Sequence, residues 1–275
     1  MISYMTNLNP NMHTNVRQWN FPGGEVGVDI NVGSEDTNYN ATRVWVDARI
    51  RSSDDVMALV MATDALKRHF PLASFGLDIP YFPYARQDRV CNAGEALSVK
   101  VMGSIINGLG YATVQLLDPH SSVSEAVIDN VYSRSQYDVF HDVKSNWSDI
   151  TIVAPDMGAS KKVEEFARRV GAQGVVAFNK TRELSTGKIT GMHCLDPLSA
   201  TGKYLVLDDI CDGGRTFIEL IKHFPLTATV DLAVTHGIFS KGYEIVTKEF
   251  SKVYTTDSFQ DFSGEIPENL VVINV

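Results

Sequence analysis

Short β-branched runs alternate along this chain with stretches whose apolar residues recur at three- and four-residue spacing, the pattern of a parallel α/β architecture. RVWVDA (43–48), SFGLDI (74–79), TVQLLD (113–118), DITIVAP (149–155), GVVAFN (174–179), YLVLDD (204–209) and TVDLAVT (229–235) predict strands. Between them, Val56, Leu59, Val60, Thr63 and Leu66 share one helical face behind a capping-box start at Ser52 and Asp55. Met102, Ile105, Ile106 and Leu109 predict a second helix stopped by Gly110. Val163, Phe166, Ala167 and Val170 predict a third stopped by Gly171, and Phe217, Leu220, Ile221 and Phe224 a fourth. The halves look alike, with the polar stretch NVYSRSQYDVF (130–140) between them. The expected architecture is two tandem Rossmann-like α/β domains, residues 1–135 and 136–275, each a mainly parallel sheet flanked by helices.

Composition narrows the class. With 275 residues, 44% hydrophobic and 21% charged, the chain reads as soluble and globular. Its net charge of −9 argues against a general nucleic-acid or membrane binder, while leaving room for a local cluster of phosphate donors. Cys91, Cys194 and Cys211 lack metal-type spacing, which suits a reducing compartment. The N-terminal MISYMTNLNPNMHTNVRQWN has no apolar core for a signal peptide, so a cytoplasmic location is expected.

Five segments carry candidate chemistry. In LVLDDICDGGRT (205–216) a strand is expected to end at Asp208 and Asp209, followed by Asp212, Gly213, Gly214, Arg215 and Thr216 before a helix. Glycines let backbone amides turn toward an anion, Thr216 adds a hydroxyl, and the carboxylates suit sugar hydroxyls better than phosphate. Taken alone, the same residues equally suit a helix cap and a tight turn. In IPYFPYARQDRV (79–90), Arg86 and Arg89 can grip a polyphosphate, and Gln87 can read a base or a phosphate oxygen. LLDPHSS (116–122) delivers Asp118 and His120 to a strand end. VAPDMGASKKV (153–163) places Asp156 before a helix start with anion-binding geometry, its acid suited to Mg²⁺. In FNKTRELSTGKITG (178–191), Lys180 and Arg182 are expected to leave a strand into a mobile loop able to stabilise phosphoryl-transfer charge.

In this order and spacing, FPGGE, IPYFPYARQDR, GEALSVK, LLDPHSS, VAPDMGASKKV, NKTR, VLDDICDGGRT and THGIFS resemble the ribose-phosphate pyrophosphokinases, also called phosphoribosyl pyrophosphate synthetases, in a short form. The resemblance implies phosphoribosyltransferase-like domains and transfer of the β,γ-diphosphoryl group of ATP to the 1-hydroxyl of ribose 5-phosphate, with Mg²⁺, for nucleotide biosynthesis. It puts ribose 5-phosphate on Asp208, Asp209 and the loop Asp212 to Thr216, and ATP on Arg86 and Gln87. It makes His120 and Asp156 metal ligands and Lys180 and Arg182 the catalytic pair. Phe21 and Glu25 match positions that reach the adenine held by a neighbouring subunit, so a homo-oligomer, dimer or hexamer, with a shared ATP site is implied. The usual loop reads DTGGT or DTCGT, whereas here Gly213 and Arg215 intervene, and Gly23 stands where relatives carry Asp or Asn. The ends are short against the family pattern, which carries the expectation of weak or altered ADP regulation. Two other readings are a non-catalytic protein associated with an active synthetase, and a phosphoribosyltransferase. The intact charged positions argue against the first, and the FPYARQDR loop against the second.

Overall fold

A computed structural model of the chain describes residues 1–32, 40–182, 189–194 and 196–275, with the side chains of 10, 11, 180–182, 189 and 190 set aside. The chain divides into two compact units, Met1–Arg134 and Ser135–Val275. The first contains β1 (Ile2–Thr6), β2 (Asn9–Asn15), β3 (Arg17–Asn20), β4 (Val26–Asp29), β5 (Arg43–Ala48), α1 (Ser53–His69), β6 (Ser74–Ile79), α2 (Ser98–Gly108), β7 (Thr113–Leu117), α3 (Ser122–Val127) and β8 (Val131–Arg134). The second contains α4 (Gln136–Phe140), β9 (Ile150–Ala154), α5 (Ser160–Val170), β10 (Gly174–Arg182), β11 (Ile189–Cys194), β12 (Lys203–Cys211), α6 (Arg215–Ile221), β13 (Thr229–Gly237), α7 (Glu244–Thr247), β14 (Val253–Thr256) and β15 (Leu270–Ile273).

In the first unit the sheet runs β2-β1-β5-β6-β7-β8, with β3 and β4 a separate antiparallel ribbon. The four strands β5 to β8 are parallel, and the β1–β2 hairpin joins them antiparallel through β1. Val46, Ala48, Leu77, Ile79 and Leu116 alternate onto one face and pack with Leu59 and Leu66 of α1 and Met102 and Ile106 of α2. The strands before FPGGE escape a reading of hydrophobic period because β2, NPNMHTN, carries almost no apolar alternation.

The predicted cap of α1 is present in full: Asp55 N donates to Ser52 Oγ at 3.2 Å, and Ser52 N donates to Asp55 Oδ2 at 2.9 Å. Ser52→Ala should therefore cost about 1 kcal/mol, read as a lower urea midpoint at unchanged slope. The apolar stripe of α2 differs from expectation. Val99, Met102, Gly103 and Ile106 face inward while Ile105 stays 38% exposed. Gly103 sets that rotation: a Cβ there would lie 2.8 Å from both the side chain and the carbonyl of Val127, so only glycine permits this approach to α3.

On the other sheet face, Asp47 and Asp78 sit side by side across β5 and β6. Burial pushes the Asp78 carboxyl up to about 6, against the pull of Arg134, whose guanidinium is 3.9 Å away. A carboxyl raised in this way destabilises the fold progressively as pH climbs from its unfolded value near 4 toward 6, and fully above that. Asp78→Asn should stabilise the protein by roughly 1–2 kcal/mol at pH 7 and leave it unchanged at pH 4, a difference that thermal melts at the two pH values measure.

The second sheet runs β11-β10-β9-β12-β13-β14-β15, all parallel except the β10–β11 hairpin. The central strands β12 and β13 are buried almost continuously, as strands covered on both faces must be. From β9 the chain steps outward to β10 and then returns to place β12 on β9's other side. The carboxyl ends of β9 and β12 thus flank the point where the winding reverses, the place where open α/β sheets bind ligands.

Candidate functional site

The switch point of the second unit gathers most of the acids singled out in the sequence. β12 does not stop at Asp208 and Asp209 but continues to Cys211, while its last pair with β9 is Val206 with Val153. The strand therefore projects five residues beyond its neighbour, with one backbone edge unpaired on that side. Asp208 serves that edge itself: its Oδ1 accepts from the amide of Asp209 at 3.0 Å. Burial first, and then the charges of Asp209 and Asp156, raise the Asp208 carboxyl well above the usual carboxylate range. The residue keeps some surface exposure, but its carboxylate lies in surroundings that disfavour a lone charge. Asp156, two residues beyond β9, is thus electrostatically part of the same cluster.

Asp156 also corrects one expectation. The amides of Gly158 and Ala159 do not await an external anion, because Asp156 Oδ1 accepts from them at 3.0 and 3.3 Å. The carboxylate closes the turn that leads into α5 and is held near enough to Asp208 to raise it. Cys211 is fully buried, and burial with the charges of Asp208 and Asp212 pushes its thiol up to about 12. It is a packing residue and not a nucleophile.

Beyond Cys211 the glycine loop is braced by the segment after β13. Phe239 N donates to Cys211 O at 3.0 Å, Ser240 N to Asp212 O at 3.2 Å, and Ser240 Oγ to Asp212 Oδ1 at 2.6 Å. Asp212, expected to help cradle an anion, has a carboxylate oxygen that accepts in this brace. Gly214 adopts φ 71° at the cap of α6, and a Cβ there would press to 3.3 Å from Val246. Arg215, the first helical residue, is exposed. Ser240 and Lys241 are functional candidates without an assigned role in the sequence; Ser240 closes the motif THGIFS and Lys241 follows it, a loop position that becomes informative once β12 and β13 are seen to be neighbours.

Lys180 and Arg182 do not leave the strand as expected. Both belong to β10, paired with Met192 and Ile189 of β11, so they share one arm of a hairpin. Their side chains, and residues 183–188 of the loop between them and β11, lie outside the described residues.

In the first unit, the segment after β6 is fixed by aromatic and polar contacts. Phe82 is buried, Tyr84 takes φ 61°, and its hydroxyl pairs with Ser53 Oγ at 2.8 Å. Arg86 is exposed at the tip. Gln87 is partly committed: its side-chain carbonyl accepts from Ser98 Oγ, and its backbone carbonyl from Val99 N at 3.4 Å. Arg89 is taken up by Asp88 at 2.9 Å, so the pair of polyphosphate-gripping arginines reduces to Arg86. The hydrogen bond from Arg89, then the nearby Ser121 hydroxyl and the charge of His120, hold Asp88 below the usual carboxylate range. This contact joins the loop after β6 to the one after β7, where His120 is exposed and the preceding Asp118 is buried at φ 40°.

Phe21 and Glu25 bound the turn of the β3–β4 ribbon, with Phe21 N donating to Glu25 O at 2.8 Å and Phe21 48% exposed. Asn20 Nδ2 donates to Asp54 Oδ2 at 2.8 Å. The first turn of α1 therefore anchors both the ribbon, through Asp54, and the Arg86 loop, through Ser53. A Cβ on Gly23 would meet nothing within 4 Å, so the ribbon turn has room for the acid or amide the sequence comparison expects there.

Among the described residues, no group of three or more His, Cys, Asp and Glu side chains is arranged to hold a metal alone, and no helix is long and apolar enough to cross a membrane.

Fold and residues together define a class: a tandem α/β protein with a carboxylate cluster and an amide-lined loop at a sheet switch point. Residues 8–110 match the N-terminal domain of ribose phosphate pyrophosphokinase. A ribose-phosphate pyrophosphokinase of Cereibacter sphaeroides is 31% identical over 219 residues, 76% of this chain and 64% of that relative. One from Thermosipho africanus is 26% identical over 267 residues, covering 93% of this chain and 81% of the relative. The crystal structure of phosphoribosylpyrophosphate synthetase from Mycobacterium smegmatis shares the fold at a TM-score of 0.78, with 20% identity over 95% of this chain and 86% of that one. The chain is thus similar to ribose-phosphate pyrophosphokinases in sequence and in fold, and its match spans just under two thirds of the Cereibacter relative's length.

Proposed function

We propose that this protein is a ribose-phosphate diphosphokinase, which moves the β,γ-diphosphoryl group of ATP to the 1-hydroxyl of ribose 5-phosphate and releases AMP. The observation that carries the reading is the switch point of the second unit, where Asp208, Asp209 and Asp156 cluster beside a loop of two glycines and a threonine. Asp208 and Asp209 accept hydrogen bonds from the ribose hydroxyls. The amides of Gly213 and Gly214 with the Thr216 hydroxyl take the 5-phosphate. Arg86 and the Gln87 amide NH₂ hold ATP, and Phe21 and Glu25 reach its adenine across a subunit boundary of a homo-oligomer. Lys180 and Arg182 neutralise charge that grows on the transferring group.

The cluster fits Mg²⁺: three acids, with Asp208 raised first by burial and then by the charges of Asp209 and Asp156, are a hard-oxygen environment that a divalent cation suits, and Mg²⁺ needs only one or two carboxylates when phosphates and water complete its shell. Asp156 is the assigned ligand in this cluster, and His120 is assigned as a metal ligand within the first unit. When bound, the ion supplies charge neutralisation on the phosphate oxygens. Asp208 then keeps the sugar oriented, and no side chain is required as an obligatory base, because positioning and electrostatics carry such a transfer. The assignment places the enzyme in the cytoplasm, feeding nucleotide synthesis. Purified protein supplied with ATP, Mg²⁺ and ribose 5-phosphate should yield AMP and a diphosphorylated sugar in equal amounts. Consumption of a purine or pyrimidine base together with 5-phosphoribosyl 1-diphosphate, and no AMP, would restore a transferase instead.

A further inference from the structure

The glycine loop has an electrostatic difficulty. Asp156, Asp208, Asp209 and Asp212 all stand at the same switch point, and a phosphate entering beside them meets repulsion that backbone amides and one hydroxyl offset only in part. A cation on the loop's open side would resolve it. The segment after β13 is stitched to the loop by Phe239 N to Cys211 O at 3.0 Å, Ser240 N to Asp212 O at 3.2 Å and Ser240 Oγ to Asp212 Oδ1 at 2.6 Å. The residue that follows is Lys241. Its Cδ and Cε are the atoms nearest to where a side chain on Gly213 would begin, 3.7 Å from that Cβ position, with Ser240 Oγ at 3.8 Å. The lysine stem thus lies within van der Waals contact of the Gly213 position, and Lys241 is exposed with no ion pair among the described residues.

We infer that Lys241 is a specificity-determining residue of this site: its ammonium, carried over Gly213 by the Asp212–Ser240 brace, binds the 5-phosphate of the sugar substrate. Lys241 is the cation whose stem lies nearest Gly213 on the open side of the loop. Arg215 is the other cation beside the loop, but it opens α6 and no contact ties it to the face above Gly213. Lys241 rather than Arg215 therefore discriminates a phosphorylated sugar from an unphosphorylated one.

The inference rests on the proposed function, and calorimetric titration of the full-length protein with ribose 5-phosphate, at two salt concentrations, separates the two. Lys241→Met should weaken ribose 5-phosphate by about 10- to 100-fold, the scale of one charge-assisted contact, and should flatten the salt dependence. Lys241→Arg should restore most of the binding, Arg215→Met should change it by less than about threefold, and ATP binding should stay as in the wild type in all three. If the wild type binds ribose 5-phosphate and Lys241→Met binds it equally well, or if Arg215→Met takes the loss instead, the inference falls and the proposed function stands. If the folded wild type shows no binding of ribose 5-phosphate, both fall. Circular dichroism of each variant confirms that the fold is retained; Lys241 is exposed, so its replacement leaves the core untouched.

Discussion

Lys180→Ala is expected to lower turnover by about 100- to 1000-fold while leaving the KM for ATP within a few-fold of the wild type. The charge at this position is needed where negative charge develops as the diphosphoryl group moves, so its loss falls on the transition state more than on bound ATP. Lys180 lies on β10, paired with Met192 of β11, two residues before the strand ends at Arg182. Steady-state kinetics in ATP, at saturating ribose 5-phosphate, decides the point. An equal loss in turnover and in ATP affinity would make Lys180 a ground-state binding residue.

Asp208→Asn should produce two opposite effects. Binding of ribose 5-phosphate should weaken, because a carboxylate that accepts from ribose hydroxyls becomes an amide with one acceptor oxygen, while ATP binding is spared. At the same time the ligand-free protein should become more stable by about 0.5–2 kcal/mol at neutral pH, the gain typical of relieving an active-site conflict. The sign follows from the direction of the shift. Burial and the charges of Asp209 and Asp156 raise Asp208 in the fold, so the folded state binds that proton more tightly than the unfolded chain does. The destabilisation is absent below the ordinary carboxylate range, grows as pH rises through it, and is complete above the raised folded value. Melts of wild type and Asp208→Asn should therefore coincide in acid and separate toward neutral pH. A variant that loses stability at pH 7, or that loses ATP binding while keeping the sugar, would break the assignment.

Much of the fold was legible because the central strands announce themselves. RVWVDA, SFGLDI and TVDLAVT are compact β-branched runs, and the helices between them carry apolar stripes with identifiable caps, Ser52 with Asp55 at one end and Gly171 in the left-handed region at another. What escaped lacks such signals. β2 is polar, and β11 to Cys194 follows a stretch rich in glycine, serine and threonine, so neither shows a period. The end of β12 was misplaced for a different reason. Two adjacent acids read as a strand terminus, but a projecting strand whose edge is served by its own Asp208 carboxylate tolerates them.

The site was legible as residue types and less so as partners. The sequence marks Asp156, Asp208 and Asp209 as acids near strand ends, and the order β10-β9-β12 is what makes them one cluster. Conversely, Gln87, Arg89 and Asp212 look available in sequence but are engaged by Ser98, Asp88 and Ser240, contacts made by residues far along the chain or hidden in rotamers. Lys241 has no local signal at all. Its place over Gly213 depends on β12 and β13 lying side by side, which no window around either residue contains.

The central claim is that the bond broken in ATP lies at the β-phosphorus and that ribose 5-phosphate is the acceptor. ATP labelled at the β-phosphorus, incubated with the protein, Mg²⁺ and ribose 5-phosphate, should deliver its label to the sugar product, with one unlabelled AMP formed for each labelled sugar. Label retained in ADP, or AMP formed without a labelled sugar, would contradict the account.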